Sequence, residues 1–180
     1  KRKEALFKFL RPFRNSGGHF GMSNLLISTC ENELSEREFV NPISRIVGTN
    51  NHEILHYKHC TEKTIFSFDK IIICGTSLND DSYITNLGNF KKLFLDYHGS
   101  ILGICSGMHI VCSIFDSQIV KKLEIGMVEV ETQEPNSLCE GSFQVYSMHN
   151  NSVSNLENFA VLARSKRCVQ VVKHKTKNVF

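Results

Sequence analysis

The sequence predicts an α/β protein in which a mostly parallel central sheet is covered by helices on both faces. From Leu25 to Phe115, apolar runs of strand length alternate with amphipathic stretches of helix length, which is the pattern of parallel strands joined by crossover helices. Two of these runs, Lys70–Cys74 and Ile101–Ile104, are almost continuously apolar, as strands buried on both faces are. A smaller antiparallel extension is expected after Phe115.

The elements of the first part of the chain can be justified in order. Asn41 is expected to cap a helix, with Pro42 as its first residue and Gly48 as its stop. A second helix is predicted over Asn86–Tyr97, whose apolar residues share one face, and a third over Met108–Phe115. The predicted strands are Leu25–Ser28, Glu53–Tyr57, Lys70–Cys74 and Ile101–Ile104.

The hydrophobic pattern changes after Phe115. Short segments that alternate between apolar and polar residues follow one another, with almost no helical pattern between them. Such segments predict extra antiparallel strands and a final return to the main sheet. They are Ser117–Lys122, Met127–Glu131, Phe143–Ser147, Ala160–Ala163 and Cys168–Lys173.

Composition limits the function classes. The 180 residues suit one domain, and no run approaches the ~18 apolar residues of a membrane-spanning helix. Seven cysteines without a CxxC pair, and no visible signal peptide, predict reduced thiols in a cytoplasmic protein. We therefore expect neither a membrane protein nor a disulfide-stabilised secreted one.

The net charge of +3 is unevenly distributed. Residues 1–14 contain six basic side chains and one acidic one, so residues 15–180 carry a small negative charge, which argues against nucleic-acid binding. Residues 1–21 are interpreted as a flexible basic leader or tag, with partner docking or membrane-surface binding as an alternative. Met22 is expected to open the folded domain, 22–180.

The segment Ile101–His109 carries the clearest chemical signal. A buried strand runs into Gly103-Ile104-Cys105-Ser106-Gly107 and out into a helix, which is the cysteine form of a nucleophile elbow. The helix N-terminus is expected to favour the Cys105 thiolate, and the backbone N–H of Ser106 to face a tetrahedral oxyanion. Cys105 is therefore the predicted nucleophile.

A second loop is expected beside the elbow. The neighbouring strand ends at Cys74-Gly75-Thr76, and a glycine lets the backbone approach a ligand closely. Ligands of open α/β sheets bind beyond the carboxyl ends of the strands, where both loops should lie. The N–H of Gly75 is the predicted second oxyanion donor.

These segments resemble the class I glutamine amidotransferases, whose nucleophile motif is Gly-[Ile/Val/Cys]-Cys-x-Gly-x-Gln. Gly103-Ile104-Cys105-Ser106-Gly107-Met108 matches it, with His109 in place of the glutamine, and Cys74-Gly75-Thr76 stands where the family has Gly-Gly-Pro. Stretches 145–153 and 159–165 resemble the family's Ser-x-His-Gly-Asp-x-Val segment and the segment that follows it. The resemblance spans roughly 22–180 and implies a flavodoxin-like three-layer sandwich, most similar in segment order to the amidotransferase subunits of GMP synthases.

The resemblance also implies the pocket and the chemistry. Besides the nucleophile and the oxyanion donors, the substrate-binding candidates are Gly107, His109, Met148, His149, Asn150 and Asn151. Cys105 is expected to attack the side-chain amide of L-glutamine, form a thioester and release ammonia to an ATP-dependent synthetase partner, with no cofactor. His109 has an alternative role to substrate contact, because a histidine that packs beneath the elbow fits the sequence pattern nearly as well.

The family's base histidine and its orienting glutamate lie in a segment directly after a strand like Thr176–Phe180, where this sequence stops. We therefore expect the natural chain to continue, and the chain as given to be severely impaired as a glutaminase. His149 is expected to shape the pocket rather than replace that base. His174, between lysines, is predicted to face solvent.

Two rival functions stay open. The same elbow would suit a γ-glutamyl peptidase that needs no synthetase, whereas His109 and Thr76 would suit a binding or regulatory module that lost its chemistry. A zinc site is a weaker alternative, because a strand over 51–57 would spread its ligands apart, and we expect no metal. Those ligands would be His52, His56, His59 and Cys60.

Overall fold

The computed structural model of the chain describes residues 24–48 and 52–180. The predicted leader, residues 1–21, and Met22 lie outside the described residues.

A parallel sheet forms the centre of the fold. Its strands are β1 (Asn24–Ser28), β2 (His52–His56), β3 (Lys70–Ile73) and β4 (Ser100–Gly103). They lie in the order β2–β1–β3–β4, so that Leu26 pairs with both Ile54 and Ile72, and Ile72 pairs with Leu102. All four predicted strands are confirmed to within one residue at either end.

The helices are α1 (Glu33–Phe39), α2 (Asn41–Val47), α3 (Glu62–Ile65), α4 (Ser82–Thr85), α5 (Leu87–Phe94) and α6 (Ser106–Ile114), with a 3-10 turn at Tyr57–His59. The predicted cap at Asn41 is wrong by one residue: Val40, the C-cap of α1, is also the N-cap of α2 and makes no side-chain capping bond. Among the described residues, no helix is long and apolar enough to cross a membrane.

Apolar side chains on both faces of the parallel sheet create three layers. Ile71 and Ile73 point into the larger core, which includes Phe94 of α5 and Ile110 of α6. Ile72, between them in sequence, points into a smaller core with side chains from around α1 and α2. This alternation confirms the predicted mostly parallel sheet with helices on both sides.

The remaining strands form a separate antiparallel sheet. They are β5 (Gln118–Thr132), β6 (Ser142–Ser154), β7 (Phe159–Ser165) and β8 (Val169–His174), in the order β6–β5–β7–β8. The segments predicted as two strands, Ser117–Lys122 and Met127–Glu131, belong to the one strand β5, whose pairing is irregular between Lys121 and Glu124. The expected return to the main sheet consists of Val179, which bridges Ile101 in parallel.

His174 differs from its prediction. The residue is buried, and its ring packs against Phe115 and Phe159. Its Nδ1 accepts hydrogen bonds from the backbone N–H groups of Thr176 and Lys177, so the ring organises the turn that leads to the last residues. The neighbouring lysines made it resemble a surface position.

Gly107 offers a test of how closely α6 packs on the sheet. A Cβ there would overlap the carbonyl oxygen of Ile73, which is backbone and cannot swing away. We expect Gly107→Ala to lower the free energy of unfolding by about 1–3 kcal/mol or more, measured by urea denaturation.

Gly88→Ala is the matched control. Gly88 lies within α5, and an added Cβ would meet nothing within 4 Å. Alanine should raise stability there by up to about 1 kcal/mol, the difference in helix propensity. Equal effects of the two substitutions would contradict the packing described.

Candidate active site

The turn between β4 and α6 holds Cys105 in an unusual backbone conformation. Its φ is 56° and its ψ is −112°, and it is the N-cap of α6. L-residues adopt positive φ at a cost, and such strain persists where surrounding contacts impose it. Here they come from two glycines, since a Cβ at Gly103 would overlap the backbone of Gly107, and one at Gly107 would overlap Ile73. The predicted elbow is therefore present.

The loop after β3 lies against the elbow. A Cβ on Gly75 would come within 3.0 Å of the Cβ of Cys105, so glycine allows this close approach. The next residue, Thr76, is held by a hydrogen bond from its Oγ1 to Oδ2 of Asp80, 2.7 Å long. The N–H that bonds the sulfur from this loop is that of Thr76, and the role of Gly75 as an oxyanion donor stays a prediction.

The Cys105 thiol has two backbone donors. The N–H groups of Ser106 and Thr76 both donate hydrogen bonds to its sulfur, which favours the thiolate. Burial of the sulfur by the surrounding walls acts more strongly in the other direction, and the pKa of Cys105 is raised although the residue as a whole is exposed. The expected net stabilisation of the thiolate is thus not seen, because desolvation outweighs the two N–H groups.

A cleft with an empty volume of about 290 Å³ opens over the sulfur. This volume includes open solvent, so it marks where the cleft lies rather than the size of a ligand that it holds. Of the predicted site residues, the cleft is lined by Cys105, Ser106, His109, His149, Asn150 and Asn151. Gly75, Gly107 and Met148 lie outside the lining; Gly107 is packed on β3, and Met148 is exposed.

His109 is buried, and its ring is held by neighbouring groups. Its Nδ1 lies 3.1 Å from the hydroxyl of Tyr83, and the backbone of Asn151 also forms a hydrogen bond with the ring. Burial, with a smaller effect of His149, lowers the pKa of His109 to about 4, so the ring is neutral near pH 7. A neutral ring that accepts at Nδ1 receives the Tyr83 proton, and burial raises the pKa of Tyr83 to about 12. These bonds favour the packed role over direct contact with a substrate.

Two buried acceptors of the cleft wall have no hydrogen-bond partner within the described part of the chain. They are Nδ1 of His149 and Oδ1 of Asn151. Buried polar atoms are usually paired, because leaving one unpaired costs about 1–3 kcal/mol. Both atoms are sealed from solvent, although their residues line the cleft.

The other ring nitrogen of His149 faces a buried carboxylate. Nε2 lies 3.5 Å from Oε2 of Glu124, and one ligand atom of Cys168 lies within 4.8 Å of both side chains. Such a group can hold a metal ion, but the Glu124 oxygens also accept bonds from Ser147, Ser165 and Gln170. A cation would have to displace these donors, so hydrogen bonds explain the cluster without a metal.

The histidines singled out for zinc have other partners. His52 bonds Ser44 and the carbonyl of Gly48, and His56 bonds the carbonyl of Cys30. Among the described residues, these side chains and Cys60 do not form a group of potential metal ligands.

The last residues of the sequence run beside the strand that leads into the elbow. The N–H of Gly103 donates to the carbonyl of Phe180 over 2.8 Å, and the N–H of Phe180 donates to Ile101 over 2.9 Å. Because the two segments are parallel and Val179 pairs with Ile101, Phe180 lies level with Leu102, three positions before Cys105.

Sequence reasoning missed Tyr83, Asp80, Glu124 and the N–H of Thr76. Tyr83 lies in a four-residue helix that is too short to show periodicity. Glu124 follows two lysines in an alternating strand, where an inward carboxylate resembles a solvent-facing one. The alternation of β5 was the one sequence signal for the burial of Glu124, since it places this residue on the face opposite Leu123 and Ile125.

The low pKa of His109 predicts a pH dependence of stability. The unfolded ring titrates near 6.5 and the folded one near 4, so as pH falls through this window the unfolded state binds the proton first and stability is lost. Between about pH 7 and about pH 5 this should cost about 2 kcal/mol of the free energy of unfolding, measured by urea denaturation.

His109→Gln should reduce that loss by the same amount, because glutamine does not titrate. His98→Gln, at an exposed histidine, is the matched control and should leave the loss unchanged. An undiminished loss in His109→Gln would show that the ring is not buried in its neutral form.

Comparisons with known proteins show what the chain is similar to. No family model matches the chain. It is 33% identical over 114 residues to a glutamine-hydrolysing GMP synthase subunit of Methanosphaera stadtmanae, covering 59% of this chain and 61% of that protein. It is 29% identical over 119 residues to the corresponding GMP synthase subunit of Thermoplasma acidophilum, covering 62% of this chain and 60% of that protein. The chain thus spans about three fifths of the length of these curated relatives.

Solved structures share the fold. A GMP synthase subunit protein of Thermoplasma acidophilum superposes with a TM-score of 0.75 at 22% identity, covering 90% of this chain and 82% of that one. A glutamine amidotransferase of Thermotoga maritima has a TM-score of 0.65 at 15% identity, covering 89% and 74%. The chain is thus similar in sequence to named GMP synthase subunits and shares its fold with solved glutamine amidotransferases, which supports its assignment to the class I glutamine amidotransferases.

Proposed function

We propose that this chain is the amidotransferase part of a GMP synthase, which hydrolyses the side-chain amide of glutamine and passes ammonia to a synthetase partner. The observation that carries the proposal is Cys105, held at positive φ on a helix N-terminus with two N–H groups on its sulfur at the base of a cleft. The named relatives support a GMP synthase synthetase as the acceptor of the ammonia, since their names describe glutamine-hydrolysing GMP synthases.

The reaction begins with attack of the Cys105 sulfur on the amide carbon of glutamine. The N–H groups that now face the sulfur, those of Ser106 and of the 75–76 loop, would hold the oxyanion of the tetrahedral intermediate. When the C–N bond breaks, the nitrogen takes a proton and leaves as ammonia, and a glutamyl thioester remains. Water then hydrolyses the thioester to glutamate and restores the thiol.

The raised pKa of Cys105 means that a base must take the thiol proton near neutral pH. His109 does not suit this task, because both sides of its ring are engaged. In the resembling family the base follows a strand like 176–180, and Phe180 runs beside the strand that enters the elbow. Any residues that follow Phe180 would therefore start next to Cys105, and we propose that they supply the base.

The cleft wall would bind the substrate. His149 Nδ1 and Asn151 Oδ1 are buried acceptors without partners in the described structure, and the amide and ammonium groups of glutamine are donors. Asn150 is tied to the loop below Cys105 by a bond from its Nδ2 to the carbonyl of Leu78, 3.2 Å long. Gly107 acts through packing, and a contact from Met148 remains a prediction.

The decisive experiment measures glutamate release from glutamine by the full-length gene product, with and without the organism's GMP synthase synthetase subunit. Cys105→Ala should lower release by at least about 10³-fold, because the covalent route is lost. Cys139→Ser, a partly exposed cysteine in the loop before β6, should keep it within about two-fold. A chloroketone analogue of glutamine should alkylate the Cys105 sulfur with loss of chloride, and so add the mass of the analogue less HCl to the wild type and the Cys139 variant only.

Release that survives Cys105→Ala would contradict the nucleophile. Hydrolysis of γ-glutamyl peptides in preference to glutamine would favour the peptidase, and no hydrolysis of either substrate with the synthetase present would favour a binding module.

A further inference from the structure

The outer face of the β5–β6 hairpin carries a patch of large apolar side chains, here called the ribbon patch. It contains five of the nine large apolar side chains exposed in the described residues, with exposed fractions between 42% and 64%. Contiguous patches of this kind on a soluble domain usually mark an interaction site. The ribbon patch consists of Leu123, Ile125, Met127, Tyr146 and Met148.

Strand pairing makes the patch continuous. Ile125 lies opposite Met148, and Met127 opposite Tyr146, so the four side chains are cross-strand neighbours on one face. The alternate residues, such as Glu124 and Ser147, point the other way and are buried. The strands are not frayed ends, because twelve paired positions hold the hairpin together.

Charged residues lie at both ends of the patch. Beyond Met127 the same face of β5 continues with exposed Glu129 and Glu131, and before Leu123 come exposed Lys121 and Lys122. An apolar centre with a charged rim is the usual anatomy of a protein–protein interface. The matching surface would carry apolar side chains, with basic groups facing the glutamates.

The patch leads directly into the cleft. Along β6, Tyr146, Met148 and Asn150 share one face, and Asn150 lines the cleft, whereas His149 and Asn151 line it from the opposite face of the strand. A protein seated on the patch would therefore stand next to the mouth through which the product leaves. Resting on the proposed function, we propose that the ribbon patch is the docking surface for the synthetase that accepts the ammonia.

The chemistry of the product favours this occupant over a second copy of the chain. Ammonia that escapes into water near neutral pH is protonated, and ammonium does not act as a nucleophile. An acceptor enzyme therefore gains from docking beside the cleft, whereas a second copy there would only obstruct it. Self-association remains a distinct outcome of the test.

The test uses the full-length gene product and the purified GMP synthase synthetase subunit of the same organism. Binding is measured by isothermal titration and sedimentation for the wild type, Met127→Glu and Tyr146→Glu. Each substitution places a charge at the centre of the patch and should weaken binding by at least about ten-fold. Leu34→Glu on α1 is the matched control, since Leu34 is 65% exposed and Met127 63%, and it should bind like the wild type.

Glutaminase activity is recorded separately. Neither Met127 nor Tyr146 lines the cleft, so both variants should release glutamate like the wild type when alone and lose only the transfer of ammonia to the synthetase. If the proposed function fails, Cys105→Ala will not change glutamate release, yet the binding measurement still decides the docking surface.

Three results would overturn the proposal. The first is binding that is equal for Met127→Glu and Leu34→Glu. The second is a wild-type chain that does not bind the synthetase at all. The third is a wild-type dimer that Met127→Glu dissociates without changing synthetase binding, which would assign the patch to a second copy of the chain.

Discussion

Close packing of α6 on the strand β3, where Gly107 lies on the carbonyl of Ile73, is the constraint on which the site depends. That carbonyl also accepts a 2.9 Å hydrogen bond from the N–H of Ile104, so β3, β4 and α6 meet at one oxygen. The turn that connects β4 to α6 has no room to relax, and Cys105 takes a positive φ as a result. The position of the sulfur, the donors beneath it and the cleft above it all follow from this contact.

Some polar groups around the cleft are hydrogen-bonded to one another, and others have no partner. Tyr83, His109 and the backbone of Asn151 satisfy one another and tie three elements together below the sulfur. The Nδ1 of His149 and the Oδ1 of Asn151 are without hydrogen-bond partners in the described residues. The position where the resembling family has glutamine is thus occupied by a residue that supports the cleft wall.

The local parts of this structure were predictable from sequence, and the long-range parts were not. Continuous apolar runs and the Gly-x-Cys-x-Gly turn predicted the parallel strands and the elbow, because strand burial and glycine packing act within a few residues. The short helices α1, α3 and α4 lack a periodic signal, and β5 was divided in two between Lys122 and Met127, where Gly126 interrupts the strand pattern. The burial of His109 and His174 depends on Tyr83, Phe115 and Phe159, which are distant in sequence. The raised pKa of Cys105 likewise depends on walls that only the tertiary structure builds.

The backbone angles of residue 105 have a consequence for the stability of the fold. At φ 56° and ψ −112° glycine would be less strained than any residue with a β-carbon. The side chain of Cys105 therefore lowers the stability of the fold. Chains of this architecture that no longer used the sulfur could adopt glycine and become more stable. A side chain at this point therefore carries a cost in stability that glycine would avoid, which is the physical reason to test residue 105 for reactivity.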